Sequence, residues 1–257
     1  MDANQRDVVF ESRFTVGGVL SKTGSTIFQK PAVFLGLSAI SLLTAAAFGF
    51  MVPEPPASGT SPEASVLVAN ALFGIAALVI YLICYIVIQG ATAHAVYRGL
   101  TDGKPSVMEA VVRGLARFFP LILLSLIYVT CFSLALILFL IPGIMLMCRW
   151  AISAQACVVE RLGPLKSLGR SAYLTKGHRW KILALLSISY LSVYVINILI
   201  AFVLDRLNFG AISTRLILII ALLVPNAFCS VLPCVVYYDL RSVKEGLTID
   251  NLSNVFD

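Results

Sequence analysis

Long stretches without a single formal charge are what most constrain this chain. Ala64 to Tyr97 carries none, and neither does Phe118 to Cys148. A soluble domain devotes roughly a quarter of its residues to Asp, Glu, Lys and Arg. Here they make up 12%, against 59% hydrophobic residues and a mean hydropathy of +0.94. So much apolar side chain has no place in one water-soluble core of 257 residues. It suits spans across a bilayer, and the expected class is an all-α integral membrane bundle.

Six spans are expected within one polytopic domain covering residues 1–257. Pro31 to Val52 is uncharged; at 1.5 Å per residue it reaches about 33 Å, enough for a hydrocarbon core of about 30 Å. A second helix starts at Ala64 and runs to about Gly90, which offers a bend, with His94 near its end. Residues 119–141 form the third, turning at Pro142-Gly143 into a fourth over residues 144–160. Residues 182–204 and 216–238 supply the last two.

Basic residues orient the bundle. Of the 19 lysines and arginines, sixteen flank the spans on one side, Arg206 and Arg215 lie on the other, and Arg149 alone sits inside a span. The Pro53 to Glu63 loop offers two glutamates and no base. By the positive-inside rule both termini are cytoplasmic. The same asymmetry explains the net charge of +6 and pI near 9.1, so no nucleic-acid partner is needed. The N-terminus mixes Asp2, Asp7 and Glu11 with Arg6 and Arg13, and no cleaved signal peptide is expected. Cys84, Cys131, Cys148, Cys157, Cys229 and Cys234 all lie in apolar runs without CxxC spacing, and the chain has only two histidines. No metal site and no cofactor are expected; the cysteines read as small packing residues.

The segments leading into odd-numbered spans are amphipathic. In Pro105 to Phe119, Val107, Met108, Val111, Val112, Leu115 and Phe118 recur at helical spacing, with Glu109, Arg113 and Arg117 opposite. Pro164 to Lys176 sets Leu165, Leu168 and Ala172 on one stripe and Lys166 and Arg170 on another. Val16 to Gln29 is a weaker version. The pattern predicts three units, each an interfacial amphipathic helix followed by a transmembrane hairpin. A basic flank beside an apolar face suits anionic headgroups.

Arg149 is expensive within a bilayer unless it snorkels, pairs or faces water, and Trp150 beside it suits an interfacial anchor. Asn70, Gln155, Asn197 and Asn226 are expected to hydrogen-bond between helices. Pro225 and Pro233 weaken the sixth helix. Glu160, Asp239 and Arg241 sit at helix ends, where structural ion pairs are expected, for example of Glu160 or Asp239 with Arg170.

Ile141-Pro-Gly-Ile144, Arg149-Trp150, Glu160, Leu162-Gly-Pro164, Arg170-Ser171, Leu174-Thr-Lys-Gly177 and Arg179-Trp180 read as one continuous pattern. Tyr237-Tyr-Asp-Leu-Arg241 with Lys244-Glu-Gly246 adds a second, and Phe14 to Leu20 a third. Together they resemble a bacterial and archaeal polytopic family named after the membrane domain of glycerophosphoryl diester phosphodiesterase. Proline is common in that family at the position of Gln155, so a straighter fourth helix is expected here. The phosphodiesterase chemistry belongs to a separate soluble barrel carried by some members, for which 257 residues leave no room. The resemblance implies a bacterial cytoplasmic (inner) membrane protein connected with lipids or envelope upkeep.

No Walker A loop, GxSxG elbow, HExxH helix or paired-aspartate motif of phospholipid alcohol transferases is present, and Asp102-Gly103 is an isolated turn. The favoured reading is a non-catalytic membrane module that binds anionic lipid headgroups at the cytoplasmic face, or a protein partner or second copy of the chain. Arg149, Trp150, Lys166, Arg170, Arg113 and Arg117 are its candidate ligand-binding residues. A transporter or channel is the first alternative and a membrane enzyme acting on phospholipid headgroups the second.

Overall fold

The computed structural model describes residues 14–51, 64–101, 106–207 and 210–245. The polar start from Met1 to Arg13, the acidic loop at Pro53 to Glu63, the turn at Asp102-Gly103 with Lys104 and Pro105, and Gly246 lie outside the described residues. Helices account for nearly all that is described. In chain order they are α1 (Val16–Gln29), α2 (Pro31–Met51), α3 (Ala64–Thr101), α4 (Val107–Ala116) and α5 (Phe118–Leu138). There follow α6 (Leu140–Trp150), α7 (Ser153–Val159), α8 (Pro164–Leu174), α9 (Arg179–Arg206) and α10 (Ala211–Glu245). Six stretches, with α6 and α7 counted as one, are long and apolar enough to cross a membrane. The chain has the construction of a multi-pass membrane protein.

Short α1, α4 and α8 each precede a long helix, as the order of elements shows. Thr15 caps α1 by accepting the Gly18 N–H through its hydroxyl at 3.3 Å. Gly163 precedes Pro164, the first residue of α8, where the missing N–H costs nothing.

The buried residues gather at one end of the bundle. Ala91 to Ala93, Ala95 and Val96 of α3, Ile152, Ser153 and Gln155 to Val158 around α7, and Val231, Leu232 and Cys234 to Tyr237 of α10 gather there with Val19 and Ile27 of α1. The other ends of the long helices leave large apolar side chains uncovered, among them Val66 to Val68, Leu72, Ile137, Leu199 and Ile220. Apolar exposure on this scale suits lipid tails. At the packed end Lys22 of α1 reaches Asp239 of α10 at 2.5 Å, and Lys181 of α9 donates to the Phe14 carbonyl at 3.1 Å. The first and last helices therefore meet at one end, which also collects the basic residues of α4, α8 and the start of α9.

Several expectations are corrected. The hairpin turns at Phe139, whose extended backbone (φ −160°, ψ 138°) ends α5 and precedes α6. Pro142 and Gly143 belong to the first turn of α6, where proline lacks only an N–H that has no helical partner. A Cβ on Gly143 would come within 2.6 Å of the Leu136 side chain, so the glycine serves helix contact. Helix α3 runs unbroken through Gly90 to Thr101. That residue gives room to Leu121, which a Cβ would meet at 2.9 Å. The fourth span is not a straighter helix: it breaks at Ala151-Ile152, between α6 and α7. Leu165 is 72% exposed, whereas Ser167, Leu168, Ser171, Leu174 and Thr175 are buried. The inward face of α8 is thus half hydroxyl, because its neighbour is a broken helix with backbone groups to satisfy.

Candidate functional site

The packed end carries two kinds of basic residue, those bound to carboxylates and those left free. Arg170 of α8 donates Nε to both oxygens of Glu160 at 2.9 Å, and its Nη2 reaches Glu245 of α10. The Tyr237 hydroxyl donates to Glu160 at 2.6 Å, and Arg241 Nε donates to Glu245 at 2.9 Å. Arg241 also lies 4.0 Å from Glu160. Burial works against the Arg170 charge, but its bonds to Glu245 and Glu160 outweigh this and raise its pKa above the ordinary value. The network ties the turn after α7, helix α8 and the end of α10 into one unit. Asp239 takes no part: its partner is Lys22, whose ammonium also stands 4.4 Å over the Tyr238 ring.

Arg149 occupies the last turn of α6 with an exposed side chain. Its carbonyl, rather than its guanidinium, is what the fold holds. The Ser171 hydroxyl donates to that carbonyl at 2.9 Å, and the Thr175 hydroxyl, which donates to the Ser171 carbonyl at 2.9 Å, lies 3.3 Å from it. Across the break, the Ile152 N–H donates to Ser171 Oγ at 3.4 Å, and the Ser153 hydroxyl donates to the Trp150 carbonyl at 2.8 Å. Side chains of α8 thus replace the helical bonds lost at Ala151-Ile152. Trp150 is half-buried, its ring 6.1 Å from that of Tyr128.

Arg113 and Lys166 are exposed, and neither makes an ion pair among the described residues; Arg117 donates Nη1 only to the Arg161 carbonyl at 3.5 Å. Arg161 itself has φ 54°, a left-handed conformation that costs a residue with a side chain about 1–3 kcal/mol. This turn presents Arg161 and Lys166 on either side of Gly163-Pro164. Lys166, Leu165 and Pro164 line a shallow groove of about 320 Å³ against Leu123 and Ile127 of α5. The groove is walled mainly by apolar side chains, with Lys166 the one charged residue that lines it.

No protein-family model, curated protein or solved structure matches the chain.

Of the residues singled out in the sequence, Glu160, Arg170 and Arg241 converge, whereas Asp239 stands apart with Lys22. Arg113, Arg117 and Lys166 make no ion pair among the described residues, and Arg149 is separate from them. Two members of the network, Glu245 and Tyr237, were missed. Both stand in the Tyr237 to Gly246 pattern of the sequence, and the four-residue spacing of Tyr237, Arg241 and Glu245 on the last turns of α10 was the signal that could have joined them. Among the intramembrane amides, Asn226 donates to Ser38 at 3.1 Å and Gln155 Nε2 lies 3.9 Å from Cys234 Sγ. Among the described residues no group of three His, Cys, Asp or Glu side chains is placed to hold a metal ion.

Proposed function

We propose that the chain is a non-catalytic integral protein of a bacterial cytoplasmic membrane, with both termini cytoplasmic, that holds anionic lipid at its packed, basic end. The observation that carries this reading is the division of the basic residues. Arg170 and Arg241 are consumed by Glu160 and Glu245, while among the described residues no carboxylate pairs with Lys166, on the wall of an apolar groove, or with Arg117, which donates only to the Arg161 carbonyl. An acyl chain fits along Leu123 and Ile127 while the phosphate meets the free bases. Headgroup attraction of about 1 kcal/mol per basic residue is the expected scale. The reading retains the resemblance to the membrane domain of glycerophosphoryl diester phosphodiesterase, with a role in envelope upkeep.

The broken fourth span favours one competing reading, since transporters build ion sites at such breaks. Here the freed carbonyl of Arg149 already accepts from the Ser171 hydroxyl, with the Thr175 hydroxyl packed against it, which leaves it little to offer an ion. For headgroup chemistry, both candidate carboxylates, Glu160 and Asp239, are engaged by bases.

The test uses the full chain in nanodiscs of mixed phosphatidylcholine and phosphatidylglycerol, released into native mass spectrometry. The native protein is expected to retain phosphatidylglycerol. Replacing Lys166 and Arg117 by Gln is expected to weaken that retention about 25-fold, five-fold for each charge. Equal retention by the variant and the native chain sinks the proposal.

A further inference from the structure

A second cationic cluster lies at the corner where α8 hands over to α9, away from the groove. Lys176, His178, Arg179 and Lys181 follow one another through this turn, and Lys244 joins them from the end of α10. Lys244 donates to the Tyr173 carbonyl and stands 4.7 Å over the Tyr173 ring. The charged neighbours acting on His178 are Lys181 and Lys244, and those acting on Lys244 are Lys176 and Arg179. All are cations. Glu245, next to Lys244 in the chain, is already bound by Arg170 and Arg241.

Among the described residues no carboxylate pairs with these four lysines and arginines, so they repel one another; the bonds of Lys181 and Lys244 to the Phe14 and Tyr173 carbonyls hold them in place without neutralising them. Two buried polar atoms at the same corner, His178 Nδ1 and Arg179 Nε, find no hydrogen-bond partner among the described residues, the backbone contact of the His178 ring being with Lys176. Buried donors and acceptors are normally paired. Burial, with Lys181 and Lys244 nearby, holds His178 below its ordinary pKa. Arg179 also opens α9, a helix of 28 residues whose first N–H groups have no helical partner and whose dipole favours an anion.

We propose that Lys176, His178, Arg179 and Lys244 form a binding site for a phosphomonoester. Such a group carries nearly two charges and three acceptor oxygens at neutral pH, which matches several donors around an uncompensated cluster better than a singly charged diester does. Trp180, 78% exposed beside the cluster, suits the headgroup level of a bilayer. The source favoured is therefore a lipid phosphomonoester, and the proposal rests on the reading that this end of the protein meets anionic lipid.

The experiment compares three full-length proteins in nanodiscs: native, Lys176→Gln with Lys244→Gln, and Lys166→Gln with Arg117→Gln. Retention of phosphatidic acid, relative to phosphatidylglycerol, is read by native mass spectrometry, and thermal unfolding confirms that each variant is folded. The native chain is expected to prefer phosphatidic acid. The corner variant should lose that preference about 25-fold, from two charges, while the groove variant keeps it. Added inorganic phosphate separates the sources: displacement of phosphatidic acid at millimolar concentration places a free phosphate in the same site, whereas no displacement assigns it to lipid. A folded corner variant that still prefers phosphatidic acid overturns the inference and leaves the groove reading standing. Loss confined to the groove variant does the same, while unchanged phosphatidylglycerol retention there, with the corner effect intact, removes the groove alone.

Discussion

Gly114 of α4 tests whether the contact between α3 and α4 is as close as the backbone geometry requires. A Cβ at this position would lie 2.6 Å from the Val87 carbonyl oxygen and 2.9 Å from the Ala91 nitrogen, with the Ala91 Cα at 3.4 Å. All three are backbone atoms of α3, so no rotamer change can clear them; the helices must move apart. Alanine in a helix interior otherwise gains about 1 kcal/mol over glycine, and the two effects oppose each other. Overpacking of this kind costs about 1–3 kcal/mol. Because backbone must move, the cost is expected in the upper part of that range, about 2–3 kcal/mol, leaving a net loss of about 1–2 kcal/mol. Gly24 of α1 is the matched control, since its Cβ would meet nothing within 4 Å. There the propensity gain stands alone.

The measurement is thermal unfolding of both variants in one detergent, followed by circular dichroism. At about 2–4 °C per kcal/mol for a chain of this size, Gly114→Ala should melt about 2–8 °C below the native protein. Gly24→Ala should melt at or slightly above it. If Gly114→Ala proves as stable as Gly24→Ala, the close approach of α3 and α4 is wrong, and with it the inward placement of the small face of α4.

Other substitutions address the network and the broken span. Glu160→Gln removes the charge that Arg170 and Tyr237 share and should cost about 1.5–3 kcal/mol, the range for hydrogen bonds to a charged group. Tyr237→Phe should cost about 1 kcal/mol; equal melting of both variants and the native protein would remove the network from the stability of this end. Replacing Ser171 by Ala together with Thr175 by Val strips the Arg149 carbonyl of both hydroxyls beside it, at about 1–3 kcal/mol for a buried unsatisfied group. Hydrogen exchange at Ile152 should speed up in that variant, and unchanged protection there would show that α8 does not clamp the break.

How much of this was legible in the sequence depends on the range of the interaction involved. The spans follow from local composition, because an uncharged run long enough to cross a bilayer has few other uses. The break at Ala151-Ile152 carries no proline or glycine. It is stabilised by hydroxyls about twenty residues away, and the four-residue spacing of Ser167, Ser171 and Thr175 was its only trace. The Lys22–Asp239 pair joins residues 217 positions apart, and no periodicity within either helix points to the other. Proline at 142 suggested a turn, yet the chain turns at Phe139, since proline is equally at home in the opening turn of a helix.

The two bases of α8 show why the candidate site was harder to read than the fold. Lys166 and Arg170 are four residues apart, on one stripe of one helix, and in sequence they carry the same message. Their fates diverge because Glu160 and Glu245 approach from the turn after α7 and from the end of α10, and both land within reach of Arg170. One turn earlier, Lys166 faces the apolar wall of α5 and meets no carboxylate. The same test separates Lys244, surrounded by cations, from Arg241, three residues before it and bound to Glu245. Whether a base braces the fold or awaits an anion is decided by how many carboxylates the tertiary structure brings within about 4 Å, the range over which partial burial makes a charge pair worth forming.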